Sequence, residues 1–102
     1  MKVVAVTACP SGVAHTYMAA EALQIAGEKL GIEVKVETQG AAGIENRLSA
    51  DEIKEAVCVV LSTDTAIRES ERFKGKKVVK MSTSKIMAGA LPLMNKIKNT
   101  FA

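Results

Sequence analysis

The chain has 102 residues, 48% of them hydrophobic and 25% charged, enough for one modest core and too little for two, so the expectation is a single domain over residues 1–102. Trp is absent and Tyr17, Phe73 and Phe101 are the only aromatic side chains, which argues against a base-stacking platform for nucleic acid. The formal charge of +3 is unevenly spread: residues 1–71 hold all 11 acids and 6 bases, residues 72–102 hold 8 bases and no acid, a one-signed surface without the aromatics or motif of a nucleic-acid binder.

In chain order, Val3-Val4-Ala5-Val6 is an almost uninterrupted β-branched run, the pattern of a strand buried on both faces of a parallel sheet. From His15 to Leu30, Met18, Ala22, Ile25, Ala26 and Leu30 recur at three- and four-residue steps, and Gly31 supplies a stop, which predicts a helix. Glu33-Val34-Lys35-Val36-Glu37 alternates with period two, as a half-covered strand nearer an edge would. Ser49-Ala50-Asp51-Glu52 reads as a capping box opening a short helix to about Ala56. Val57-Cys58-Val59-Val60-Leu61 repeats the buried-strand pattern, a weaker helix is expected over about 65–71, and a short lysine-flanked edge strand over 77–81. Ile86, Ala90, Met94, Ile97 and Phe101 are helically spaced, but Pro92 interrupts them, so the expectation is a turn near Lys85 and a helix mainly from Pro92 onward. Strand and helix alternating four times predict an α/β fold: an open four-stranded parallel sheet of order 2-1-3-4 with helices on both faces. The ligand crevice of such a sheet lies beside the carboxyl ends of the first and third strands, where Cys9 falls.

Two cysteines without CxxC or Cys/His spacing make neither a disulfide framework nor a metal site, so the chain reads as cytoplasmic, with no metal and no cofactor. Val6-Thr7-Ala8-Cys9 looks like a lipoprotein-processing box, but the apolar stretch ahead of it is a few residues against the roughly 7–15 of a secretory core. No run approaches the roughly 18–20 apolar residues that span a bilayer.

Cys9-Pro10-Ser11-Gly12-Val13-Ala14-His15-Thr16 joins the first strand to the first helix. A loop of this kind aims successive backbone N–H groups inward, the helix dipole adds positive potential, and Gly12 can take the positive φ that such a nest needs. The same field favours a thiolate, which makes Cys9 a candidate nucleophile at the mouth of a phosphate cradle and points to phosphoryl transfer through a phosphocysteine. Cys58, inside Val57-Cys58-Val59-Val60, reads as an inert core residue. Cys-x₅-Arg-Ser/Thr is the signature loop of protein tyrosine phosphatases; here the spacing is kept, with His15 at the arginine position and Thr16 at the hydroxyl position. Arginine grips two phosphate oxygens with a planar fork, whereas histidine donates one bond. The loop should therefore retain its phosphoryl group longer than a phosphatase would, as a carrier does. Asp64 follows the third strand at the correct end of the sheet for a leaving-group acid, although a helix N-cap is its commoner role.

At these residues the chain resembles the fructose-family IIB component of the bacterial phosphoenolpyruvate-dependent sugar phosphotransferase system. The matching run extends from Ala8 to Leu23, ACPSGVAHTYMAAEAL, followed at family-like spacing by Val36-Glu37-Thr38-Gln39-Gly40, Gly43, Asn46, Asp64 and Arg72-Phe73-Lys74-Gly75-Lys76. The similarity covers essentially the whole chain, with residues 67–71 less typical. It implies a cytoplasmic phosphotransferase, membrane-associated through IIC, that accepts a phosphoryl group from the phosphohistidine of a IIA domain onto Cys9. It then gives the group to a fructose-like sugar bound by the membrane-embedded IIC component. Pro10, Ser11, Gly12, Val13, Ala14, His15 and Thr16 match the family's phosphate loop, and Thr38-Gln39-Gly40 would lie at the rim of the same crevice.

His15 could stabilise the phosphate, protonate a departing thiolate or cap the helix; the first is favoured. The hydroxyls of Ser11 and Thr16 could donate to phosphate or satisfy the local backbone. Two rival readings are a low-molecular-weight phosphatase or arsenate-reductase-like enzyme, disfavoured by the missing arginine, and an interaction module with a structural thiol, disfavoured by the glycine-containing loop. The basic last third, Lys76 and Lys77 included, is read as a docking face for IIA or IIC.

Overall fold

The most apolar strand, β1 (Lys2–Ala8), takes the middle of the sheet in the computed structural model, which describes residues 1–9, 13–40 and 43–101. It pairs in parallel with β2 (Glu33–Gly40) on one side and with β4 (Cys58–Ser62) on the other, and β5 (Val78–Met81) adds in parallel to β4. These four strands keep the order expected from hydrophobicity. A further strand was not anticipated: β3 (Gly43–Glu45) pairs antiparallel with β2, so that among the described residues the sheet has five strands in the order β3-β2-β1-β4-β5 and is mostly rather than wholly parallel. Three residues carry no periodicity to read. Their presence moves β2 off the edge, and its second half, Val36-Glu37-Thr38-Gln39, is buried although three of the four are polar.

Helices cover both faces. α1 (Val13–Leu30) and α3 (Thr83–Phe101) pack on the face formed by Val3, Ala5, Val36, Cys58 and Val60, burying Leu23, Ile86 and Met94. On the opposite face Ile53 of α2 (Ala50–Glu55), Leu48 from the segment before it and Phe73 of a 3-10 turn at Ser70–Phe73 pack against Val4, Val6, Val59 and Leu61. Gly31, at φ +70°, ends α1 as a C-terminal glycine does. Ser49 and Glu52 form the expected capping box, each side chain bonded to the other's backbone N–H.

Two helix expectations are corrected. The helix expected over 65–71 is reduced to the 3-10 turn that begins at Ser70: Glu69 has a left-handed φ of 58°, and the main chain of Arg68 bonds to the Gln39 side chain instead of to a helical turn. α3 does not start near Pro92 but at Thr83, because Asp64 accepts from Thr83 N (2.7 Å) and Thr83 Oγ1 (2.9 Å) while Ser82 Oγ accepts from Lys85 N. Pro92 is carried inside the helix by a kink at Gly89 (φ −131°, ψ 28°), which absorbs the missing N–H and the ring clash. Among the described residues no helix is long and apolar enough to cross a membrane.

Candidate functional site

Cys9 is half-buried directly after β1, at the carboxyl end of the parallel strands, where the chain has strands on both sides of β1. Its surroundings are held by side chain to main chain bonds. Ser62 Oγ accepts from Ala8 N (2.8 Å) and donates to Ala8 O (3.1 Å), binding both polar groups of the residue before the cysteine to the end of β4. Thr7 Oγ1 donates to Thr16 O (3.0 Å), tying the end of β1 to the first turn of α1. Both flanks of the loop are thereby fixed to the sheet by buried hydroxyls, at about 1 kcal/mol net each.

The expected phosphate loop is described in part. Pro10, Ser11 and Gly12 lie outside the described residues. Val13 opens α1, Ala14 and His15 are exposed in its first turn, and Thr16 is only 2% exposed. Among the described residues the Oγ1 of Thr16 has no hydrogen-bond partner, a state that a buried hydroxyl rarely keeps without a role. No acidic side chain occupies the first turn of α1, so its positive end is not neutralised from within the helix.

Cys9 opens into a cleft of about 260 Å³ lined by Ala8, Cys9, Gln39, Gly40, Thr65, Ala66 and Arg68. Gln39 and Gly40 thus stand at the rim as expected, while Thr38 is buried below it. Asp64 is not aimed at the cleft as an acid; its two oxygens are engaged by Thr83 at the start of α3. Cys58 is fully buried, and burial pushes its thiol up to about 11, which leaves it unreactive near neutrality. Lys76 is engaged within the chain: its Nζ donates to Ala56 O (2.7 Å) and Lys54 O (3.2 Å), capping α2. It and Lys77 precede β5, at the end of the sheet opposite to Cys9.

One part of the site was not anticipated. Glu37, 0% exposed, accepts from Arg72 Nη1 (2.7 Å) and Nη2 (2.6 Å), from Leu48 N (2.9 Å) and from Gln39 Nε2 (2.9 Å). Burial alone would push this carboxyl up, but the Arg72 fork, the Gln39 amide, the Leu48 N–H and the Arg72 charge together hold it below the ordinary glutamate range. Gln39 passes the order onward: its Oε1 accepts from Arg68 N (2.7 Å) and its Nε2 donates to Arg68 O (3.0 Å). The far wall of the cleft is therefore anchored to a buried ion pair. The alternation of β2 puts Glu37 on the polar side with Glu33 and Lys35, so nothing in the sequence signals its burial or names the partner 35 residues away.

The model of the lactose/cellobiose-specific IIB subunit family of the phosphotransferase system matches residues 4–96. The chain is 53% identical over 97 residues to the fructose-like EIIB component 2 of Escherichia coli (strain K12), covering 95% of this chain and 92% of that protein. To the fructose-specific EIIABC component of Bacillus subtilis (strain 168) it is 44% identical over 98 residues, which is 96% of this chain and 15% of that longer protein. The solution structure of the Enzyme IIB subunit of the phosphotransferase system from Escherichia coli K12 matches with a TM-score of 0.91 at 40% identity, covering 97% of this chain and 92% of that one. With the family model spanning most of the chain and relatives named as IIB components aligned along nearly its whole length, the chain belongs to the IIB family of the bacterial sugar phosphotransferase system, in its fructose-type branch.

Proposed function

We propose that this chain is a cytoplasmic phosphocarrier, working at the membrane through a IIC component, whose phosphorylated residue is Cys9. The observation that carries the reading is the position of the Cys9 thiol, between the amino end of α1 and a cleft at the carboxyl end of the sheet, with both flanks clamped by Thr7 and Ser62. In the first step the Cys9 thiolate attacks the phosphorus of a phosphohistidine on a IIA domain. The S–P bond forms as the N–P bond breaks, and the imidazole leaves with the bonding pair and takes a proton. In the second, a hydroxyl of a fructose-like sugar held by IIC attacks the same phosphorus; the S–P bond breaks, the thiolate is restored and the hydroxyl proton passes to a base on the transporter.

The amino end of α1 stabilises the phosphoryl oxygens electrostatically, and the exposed His15 in its first turn contributes one further bond. Asp64 supports the carrier over a phosphatase: with its carboxylate engaged by Thr83, it is not available to protonate a leaving group from this cleft. The two chemistries separate in one assay pair. A carrier takes the phosphoryl group from a phosphorylated fructose-type IIA domain and shows negligible turnover of an aryl phosphate; steady aryl phosphate hydrolysis with no transfer from IIA would favour the phosphatase.

A further inference from the structure

The loop carries no arginine, yet the cleft into which Cys9 opens is lined by one. Among the described residues lining the cleft, Arg68 is the only charged one. The chain has three arginines. Arg72 is committed to Glu37 and Arg47 to Glu69 (2.6 Å), whereas the guanidinium of Arg68 has no ion pair or hydrogen bond among the described residues. Its backbone, by contrast, is held at both N and O by Gln39, which is 4% exposed and is itself anchored on the buried Glu37. An exposed, irregular segment with its main chain fixed this firmly, and its cationic side chain left unengaged at a thiol-lined cleft, is arranged to present that cation.

We propose that Arg68 is a phosphoryl-binding residue, supplying from the β2-anchored wall the cationic contact that the Cys9 loop lacks. This rests on the reading of Cys9 as the phosphorylated residue. The planar guanidinium pairs with two peripheral oxygens of the S-phosphoryl group, while the helix end and His15 meet the group from the loop side. A cation so placed favours the dianion over the monoanion and lowers the second ionisation of the phosphoryl group. Because Gln39 binds Arg68 through its main chain, truncating the side chain leaves the wall in place.

The test is a pH titration by ³¹P NMR of the phosphocysteine, formed from a phosphorylated fructose-type IIA domain, in wild type, Arg68→Ala and Arg68→Lys at low salt. The expected result is an upward shift of the phosphoryl ionisation by about half a pH unit or more in Arg68→Ala, mostly restored by Arg68→Lys, with amide shifts confined to the cleft. A wild-type phosphocysteine whose titration is unchanged by Arg68→Ala overturns this inference and leaves the carrier reading intact. A wild type that forms no phosphocysteine overturns both.

Discussion

Ser62 shows how much of the site depends on single side chains that do no chemistry. It satisfies both main-chain polar groups of Ala8 from inside the protein, so Ser62→Ala leaves a buried N–H unpaired and should cost about 1–3 kcal/mol, read as a lower urea midpoint at unchanged m-value. The same variant should accept the phosphoryl group more slowly, since Cys9 follows the released residue. Glu37 is a stronger case. Glu37→Gln leaves Arg72 without its counter-charge in a mostly buried setting and should cost on the order of 3 kcal/mol. Because the folded carboxyl titrates below the ordinary glutamate range, its contribution is complete above about pH 4.5 and is lost as pH falls through the folded value. Urea midpoints measured from pH 6 to pH 2 should therefore fall less steeply for Glu37→Gln than for wild type. Of these residues only Cys9 announced itself, by its place between a buried strand and a Pro-Ser-Gly turn. Glu37 with Arg72, and Gln39 with Arg68, meet across 35 and 29 residues of chain, and such pairings are set by topology rather than by local pattern.

At the scale of elements, what local chemistry specifies was legible. The alternation of β2, the capping box of α2 and the glycine after α1 each carry a signal within a few residues. What tertiary contact decides was not: β3 exists as the antiparallel return of β2, and the helix expected over 65–71 is reduced to the start of a 3-10 turn because Gln39 takes the Arg68 main chain. Gly27 separates the two kinds of influence. As an exchange inside α1, Gly27→Ala should gain about 1 kcal/mol of helix propensity. An added Cβ would collide with Val34 Cγ2 and lie 2.9 Å from Ile32 O, an overpacking that costs about 1–3 kcal/mol or more against backbone. The clash prevails, and thermal unfolding should show a lower Tm for Gly27→Ala. In α2, the hydrogen bond from Lys35 and then the Ser49 N–H push the Glu52 carboxyl down to about 2. Glu52 thus supports the folded state above about pH 4.5 and ceases to do so as pH falls toward 2, so Glu52→Gln should flatten the lower part of the acid limb.

Taken whole, the molecule divides its charge by position as well as by sequence. Lys76 and Lys77 belong to the amino ends of the strands, and Lys76 is occupied in capping α2, so the basic last third does not frame the cleft as one surface. At the carboxyl ends, three clamps converge instead: Thr7 on the helix, Ser62 on the end of β1, and Gln39 on the Arg68 wall. A sheet that fixes both walls of a small cleft before any phosphoryl group arrives is preorganised for transfer. It follows that Lys77→Glu should change phosphoryl acceptance from IIA by less than about twofold at physiological salt, where the screening length of roughly 8 Å is shorter than the length of β5 that separates Lys77 from the carboxyl ends of the strands. The central claim is that this cleft loads Cys9. It is tested most directly by intact-mass analysis after incubation with phosphoenolpyruvate, the general phosphotransfer proteins and a fructose-type IIA domain, for wild type, Cys9→Ser and Cys58→Ser. One phosphoryl adduct on wild type and on Cys58→Ser, absent from Cys9→Ser, is the predicted result; an adduct that persists in Cys9→Ser, or none on wild type with a donor that loads a related IIB chain, would contradict it.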